Sequence, residues 1–133
     1  MIALDTDLVL RILLDDDPKQ SAAARKVWLD ARRRGKAIFI SDIVLVDVAW
    51  ALESRHGLSR GEVADVLLRV FETELVAVSN SAALDRALAS YRTGRAGFAD
   101  YLIREQARAM GAERVVTFDS AFSGEDGFDV RSQ

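Results

Sequence analysis

No cysteine occurs in the 133 residues, which excludes a disulfide framework, a thiolate-bound zinc and a thiol nucleophile. Histidine is nearly as scarce: His56 stands alone, so no two imidazoles of one chain can share a metal. Proline occurs once, at Pro18, and no repeat, low-complexity tract or linker divides the sequence. Positive charge is not in excess either. With 18 Lys and Arg against 21 Asp and Glu, the net charge is -3, so affinity for a polyanion must come from a local basic patch or from bound cations. No apolar run reaches the length of a membrane span, and Asp5 and Asp7 interrupt the apolar start at once, unlike a signal peptide. A soluble, cytoplasmic protein is expected. The 50% hydrophobic and 29% charged content suits a single globular domain over residues 1–133 with its own core.

Strands and helices alternate along the chain. Ile2-Ala3-Leu4 reads as a short strand ending in Asp5-Thr6-Asp7, with a helix to about Leu14. Asp15-Asp16-Asp17 before Pro18 reads as a helix cap, Asp17 at the N-cap and Pro18 in the first turn, and not as a metal site. That helix runs to Arg32-Arg33-Arg34, where cations suit the helix dipole. Ala37 to Ile40 is the second strand, and Ser41 caps a helix whose run Ile43 to Leu52 is apolar at every position but Asp47. That carboxylate is expected in apolar surroundings. Ser59-Arg60-Gly61-Glu62 matches a capping box, Leu75 to Val78 is a third strand, and Asn80 or Ser81 caps a further helix. Gly127 to Val130 suits a last edge strand. Strands separated by helices predict parallel pairing through right-handed crossovers: an α/β fold, with a central, mostly parallel sheet of about five short strands flanked by helices.

The stretch from Gly97 to Phe122 organises the rest. A helix over Phe98 to Met110 puts Asp100, Ile103, Ala107 and Met110 on one face, so Asp100 is expected on an apolar stripe. Gly111 ends the helix, and Arg114 to Phe118 reads as a short buried strand that delivers Asp119. Asp5 and Asp119 thus stand at carboxyl ends of strands, where parallel sheets place their sites; Asp100 opens the helix feeding the second of these strands, and Asp47 lies early in the helix leaving strand two. Four acids with no basic partner evident in the sequence describe a divalent-cation site of the magnesium or manganese type. Without a cation such acids repel: two charges about 6 Å apart at an effective dielectric near 20 cost roughly 2–3 kcal/mol.

Leu4-Asp5-Thr6 after an apolar start, an acid in an apolar helix after Ile40-Ser41, Phe98-Ala99-Asp100, and Thr117-Phe118-Asp119 with Phe122 together resemble PIN-domain ribonucleases over nearly the whole chain. The compact length is most similar to the VapC-type toxins of toxin–antitoxin pairs. The resemblance implies a PIN-like three-layer sandwich with metal-binding acids at Asp5, Asp47, Asp100 and Asp119, and supporting hydroxyls at Thr6 and Thr117. It also implies hydrolysis of RNA by water activated on Mg2+ or Mn2+, leaving 5′-phosphate and 3′-hydroxyl ends. Two departures stand out: the helix acid is commonly Glu in the family and is Asp47 here, and Gly97 occupies a region where the family often has another acid.

Arg11, Arg92, Arg95 and Arg104 are the candidates for RNA phosphate contacts. The resemblance further implies a cognate antitoxin and a homodimer, the latter supported by apolar residues on several faces of Val63 to Phe71. Two other readings stay open: a PIN fold that binds RNA or a partner without cleaving, and an aspartyl-phosphate phosphatase of the haloacid-dehalogenase type suggested by Leu4-Asp5-Thr6-Asp7. The absence of any lysine after Lys36 argues against the second, and against a receiver domain.

Overall fold

The computed structural model describes residues 1–132. β1 (Ile2–Ala3) leads into α1 (Thr6–Leu13), followed by α2 (Pro18–Arg33), β2 (Ile38–Phe39), α3 (Asp42–Ser54), α4 (Arg60–Glu72) and β3 (Val76–Ala77). After these come α5 (Ser81–Thr93), α6 (Phe98–Ala109), β4 (Val115–Thr117), a 3₁₀ turn (Ser120–Phe122) and β5 (Phe128–Val130). Side-chain caps set the helix starts the sequence marks out. Asp17 accepts from the Gln20 amide at 3.1 Å with Pro18 in the first turn, Ser41 accepts from Val44, Asn80 accepts from Ala83, and Ser59 and Glu62 complete a reciprocal capping box.

All strand pairs are parallel. Ile2 lies opposite Ile38, and Ile38 opposite Val76, so β1, β2 and β3 form one ladder in that order. β4 and β5 pair separately, with Val115 opposite Phe128. Five strands are thus present, but they hydrogen-bond as a group of three and a pair and not as one continuous sheet. Strands of two or three residues offer too few ladder bonds to hold a sheet together without the helices around it.

Ile38 and Ile40 are fully buried among Leu45, Val48 and Leu52 of α3, Leu67 of α4, Leu84 and Tyr91 of α5, and Tyr101 of α6. The apolar residues of α4 belong to this core: Val63, Ala64, Leu67, Val70 and Phe71 are all buried within the chain. The dimer surface expected there is therefore already covered. β4 departs from expectation the other way. It pairs with β5 and touches α6, but Val116 and Phe118 face outward, so this is not a buried strand.

The segment after β4 is pinned to α6. The Tyr101 hydroxyl donates to Glu125 at 2.9 Å, Arg104 donates to the Asp126 carbonyl at 3.0 Å, and Arg108 pairs with the Asp126 carboxylate at 3.0 Å. Two glycines permit this packing. A Cβ at Gly94 would collide with the Tyr101 hydroxyl, and Gly127 combines a φ of +83° with an approach to Arg104 and Arg108 that any side chain would block.

Candidate functional site

Each of the four acids is placed by the local structure around it. Asp5 follows β1 and caps α1, one oxygen accepting from the Leu8 amide at 3.0 Å. Asp100 is in the first turn of α6 and accepts from the Gly97 amide at 3.0 Å. Asp119 follows β4 and caps the 3₁₀ turn through Ala121 at 2.9 Å, while its own amide donates to the Thr117 hydroxyl at 3.0 Å. A carboxylate at a helix start is held both by the unpaired amides there and by the positive end of the helix dipole. Asp47 differs: it lies within α3, and its only side-chain bond is from the Thr6 hydroxyl, at 3.3 Å. That bond ties α1 to α3, as the Thr117 bond ties the end of β4 to the Asp119 backbone.

Asp47 is exposed, against expectation. Its neighbours in sequence are apolar, but Ile43, Asp47 and Trp50 recur at helical spacing on the outward side of α3, and all three are exposed. The stripe expected to bury Asp100 is also turned outward: Ile103 is 52% and Met110 87% exposed. α6 buries the neighbouring face instead, with Phe98, Tyr101, Leu102, Arg104 and Glu105 inside.

In donor chemistry the acids suit a hard divalent cation. Each uses one oxygen within the chain and leaves the other without a hydrogen bond or ion pair among the described residues. In spacing they are not assembled. Among the described residues no three acidic or histidine side chains stand close enough to hold one ion. The close cluster expected from the sequence is not found among the described residues; Asp5, Asp100 and Asp119 each bond instead to a backbone amide of the turn beside them.

Asp42, which the sequence reading passed over, lines a cavity together with Asp47. A cavity of about 210 Å³ between α3 and α6 is lined by Asp42, Ile43, Asp47, Ile103 and Gln106. One Asp42 oxygen accepts from the Gln106 amide group at 2.6 Å, and the other is buried with no partner. Burial raises the Asp42 pKa, and the Gln106 bond offsets only part of the shift. A raised carboxylate pKa in the native state means the fold prefers the protonated form. Stability therefore falls as pH rises through the unfolded and then the folded pKa, and the charged form is a liability at neutral pH. Asp42→Asn keeps an acceptor for Gln106 and should raise the melting temperature at pH 7. The advantage over the parent should shrink toward about pH 4, and a variant less stable than the parent at pH 7 would contradict this account.

The arginine candidates divide. Arg104 is not available to RNA: at 5% exposure it spends its donors on Glu105, Ser90 and the Asp126 carbonyl. Arg11 pairs with Asp16 at 3.0 Å and Arg92 with Asp65 at 2.8 Å, both at the surface. Arg95 is exposed and borders an open cleft of about 720 Å³ beside Arg86 and Arg108. The sequence reading missed Glu105, which is 1% exposed and bound by Arg86, Arg104 and Arg108. Its signal was present, since Phe98, Tyr101, Leu102 and Glu105 follow helical spacing.

Comparison with known proteins agrees with this architecture. The family model described as PIN domain matches residues 2–125. A protein of Aquifex aeolicus (strain VF5) named VapC ribonuclease is 24% identical over 122 residues, spanning 92% of this chain and 90% of its own. The crystal structure of VapC20 of Mycobacterium tuberculosis, described as a sarcin-ricin loop cleaving toxin, is 20% identical with a TM-score of 0.47, covering 98% of this chain and 99% of its own. By its match over most of its length, with acids after β1, within α3, at the start of α6 and after β4, this chain belongs to the PIN-domain family.

Proposed function

We propose that this protein is a divalent-cation-dependent endoribonuclease and the toxin of a toxin–antitoxin pair. The observation that carries the reading is the set of four acids, Asp5, Asp47, Asp100 and Asp119, each anchored through one oxygen with the other free, in a chain of the PIN-domain family. The name of the Aquifex relative supports the activity. Asp5, Asp100 and Asp119 would hold Mg2+ or Mn2+, with Asp47 acting directly or through water because its side chain is one methylene shorter than glutamate. The cation, when bound, lowers the pKa of a water and neutralises charge on the phosphate. The chain itself orients the acids: Thr6 fixes Asp47, Thr117 fixes the turn that presents Asp119, and the caps of α1 and α6 fix Asp5 and Asp100. The family resemblance makes water the nucleophile, with 5′-phosphate and 3′-hydroxyl product ends, and the position of His56 in the exposed turn after α3 supports this over a histidine-based, metal-free ribonuclease. A structured RNA incubated with and without magnesium, and again with Asp5→Asn, tests this directly.

A second reading, a PIN fold that binds without cleaving, draws on the dispersed acids. The same assay separates the two. No helix among the described residues is long and apolar enough to cross a membrane.

A homodimer belongs to the proposal, with its surface moved from α4 to α3 and α6. Ile43 and Ile103 border the same shallow cleft and are both exposed, an arrangement that self-association would cover. Sedimentation at micromolar concentration should find a dimer, and Ile103→Asp should weaken it by about tenfold or more. A strictly monomeric parent would count against the dimer.

A further inference from the structure

The outward side of α3 carries more than an acid. Trp50 lies one turn beyond Asp47 and is 59% exposed, whereas the other tryptophan, Trp28, is half-buried against the core. The Arg55 guanidinium stacks on Trp50 with its carbon 5.3 Å from the ring centroid, and no carboxylate among the described residues pairs with it. Trp50 and Arg55 share a cavity of about 300 Å³ with Thr6, Asp7 and Asp47. Asp7 is exposed, and its side chain bonds to nothing among the described residues. An open aromatic ring with a guanidinium on it, beside a free carboxylate, suits a flat ligand that carries hydrogen-bond donors better than an apolar protein anchor. Such an anchor would have to desolvate Asp7 and Asp47.

We propose that Trp50, backed by Arg55, and Asp7 form a subsite for one unpaired RNA base that bears an exocyclic amino group. This deepens the ribonuclease reading and rests on it, since Asp47 places the subsite beside the proposed cation site. Stacking on Trp50 is open to every base, because each has a π-face. Selection comes from Asp7. An ionised carboxylate only accepts hydrogen bonds, so it matches the amino groups of cytosine, adenine and guanine and is opposed by the carbonyls of uracil, which has no amino group.

Binding is measured in chelator, so that RNA stays intact, with short unstructured oligo(C), oligo(A) and oligo(U). The readouts are Trp50 fluorescence in the Trp28→Phe protein and, independently of that variant's folding, anisotropy of labelled RNA with the otherwise unaltered chain. The expected result is quenching of Trp50, with oligo(C) and oligo(A) bound more tightly than oligo(U). Trp50→Ala should weaken binding roughly 5- to 100-fold while Trp50→Phe retains most of it, and Asp7→Asn should erase the difference between oligo(C) and oligo(U). RNA affinity unchanged in Trp50→Ala overturns the subsite, and if self-association falls instead, Trp50 belongs to a protein contact. Equal binding of oligo(C) and oligo(U) by the parent overturns the role of Asp7. Cleavage of the same oligomers in magnesium is scored separately. Quenching and selection without cleavage would leave the subsite standing and remove the nuclease reading.

Discussion

RNA cleavage should disappear in a chelator and return with magnesium or manganese, while calcium, which accepts looser coordination, restores it poorly. Asp5→Asn and Asp100→Asn should each lower the rate in magnesium by on the order of 10²–10³-fold, the equivalent of a few kcal/mol of lost transition-state stabilisation. These variants discriminate well because the fold has little reason to notice them. Asparagine keeps the carbonyl oxygen that accepts from Leu8 or Gly97, and it is as good a cap as aspartate. Only the helix-dipole interaction of the charge is lost, so stability without a cation should change by no more than about 1 kcal/mol. The increment gained on adding magnesium should fall clearly, since a ligand that binds only the native state stabilises in proportion to its affinity. Crowded acids would make Asp100→Asn stabilising in chelator, but among the described residues no three acids stand close enough to share an ion. Undiminished cleavage in chelator, or an unchanged magnesium shift in Asp100→Asn, would sink the four-acid site.

The largest loss of stability is expected far from those acids. Glu105 accepts from Arg86 at 3.1 Å, Arg104 at 2.8 Å and Arg108 at 3.0 Å, and Arg104 is itself buried against the rings of Tyr101 and Phe128. Glu105→Leu would leave the Arg104 guanidinium buried without its counter-charge. The cost should be about 3–5 kcal/mol, a fall on the order of 10–20 °C in melting temperature. Burial alone would raise the Glu105 pKa, but Arg104, with Arg108 and Arg86, outweighs it and holds the pKa below the ordinary glutamate value. A lowered native-state pKa means this stabilisation is present above the unfolded value and is lost as pH falls through the folded one. The parent should therefore lose stability on acidification more steeply than Glu105→Gln, and thermal melts across the acid range test both claims. A loss below about 1 kcal/mol in Glu105→Leu would show that the cluster is a surface ion-pair network and not a staple.

What could be read from the sequence followed how local the determining physics was. Caps act within four residues, so Asp17, Ser41, Ser59 and Asn80 announced their helices without reference to the rest of the chain. The positions of Asp5, Asp100 and Asp119 at the starts of helices or turns were legible for the same reason. Which side of a helix faces inward is not local. On α6 two stripes of similar apolar content compete, and the chosen one, through Ile103 and Met110, faces outward; the buried one contains a carboxylate and an arginine. Its charges are admissible only because Arg86, Ser90 and Asp126 arrive from elsewhere to pair with them. The outward turn of Asp47 was hidden likewise, since an apolar run around an acid gives no direction until the neighbouring helices are in place.

The parallel register has a consequence for how the chain acquires its structure. Ile2 must find Ile38, and Ile38 must find Val76, each across an intervening pair of helices, for strands of only two residues. α4 packs on α5, its neighbour across β3, and α5 packs on α6 across a short loop. Loop-closure entropy therefore sets the order: the α4–α5–α6 hairpins can condense early from contacts close in sequence, and the three-stranded ladder closes late, once packed helices hold its ends together. Mutations at Leu84 or Tyr101 should then slow folding, whereas changes in β1 should chiefly speed unfolding.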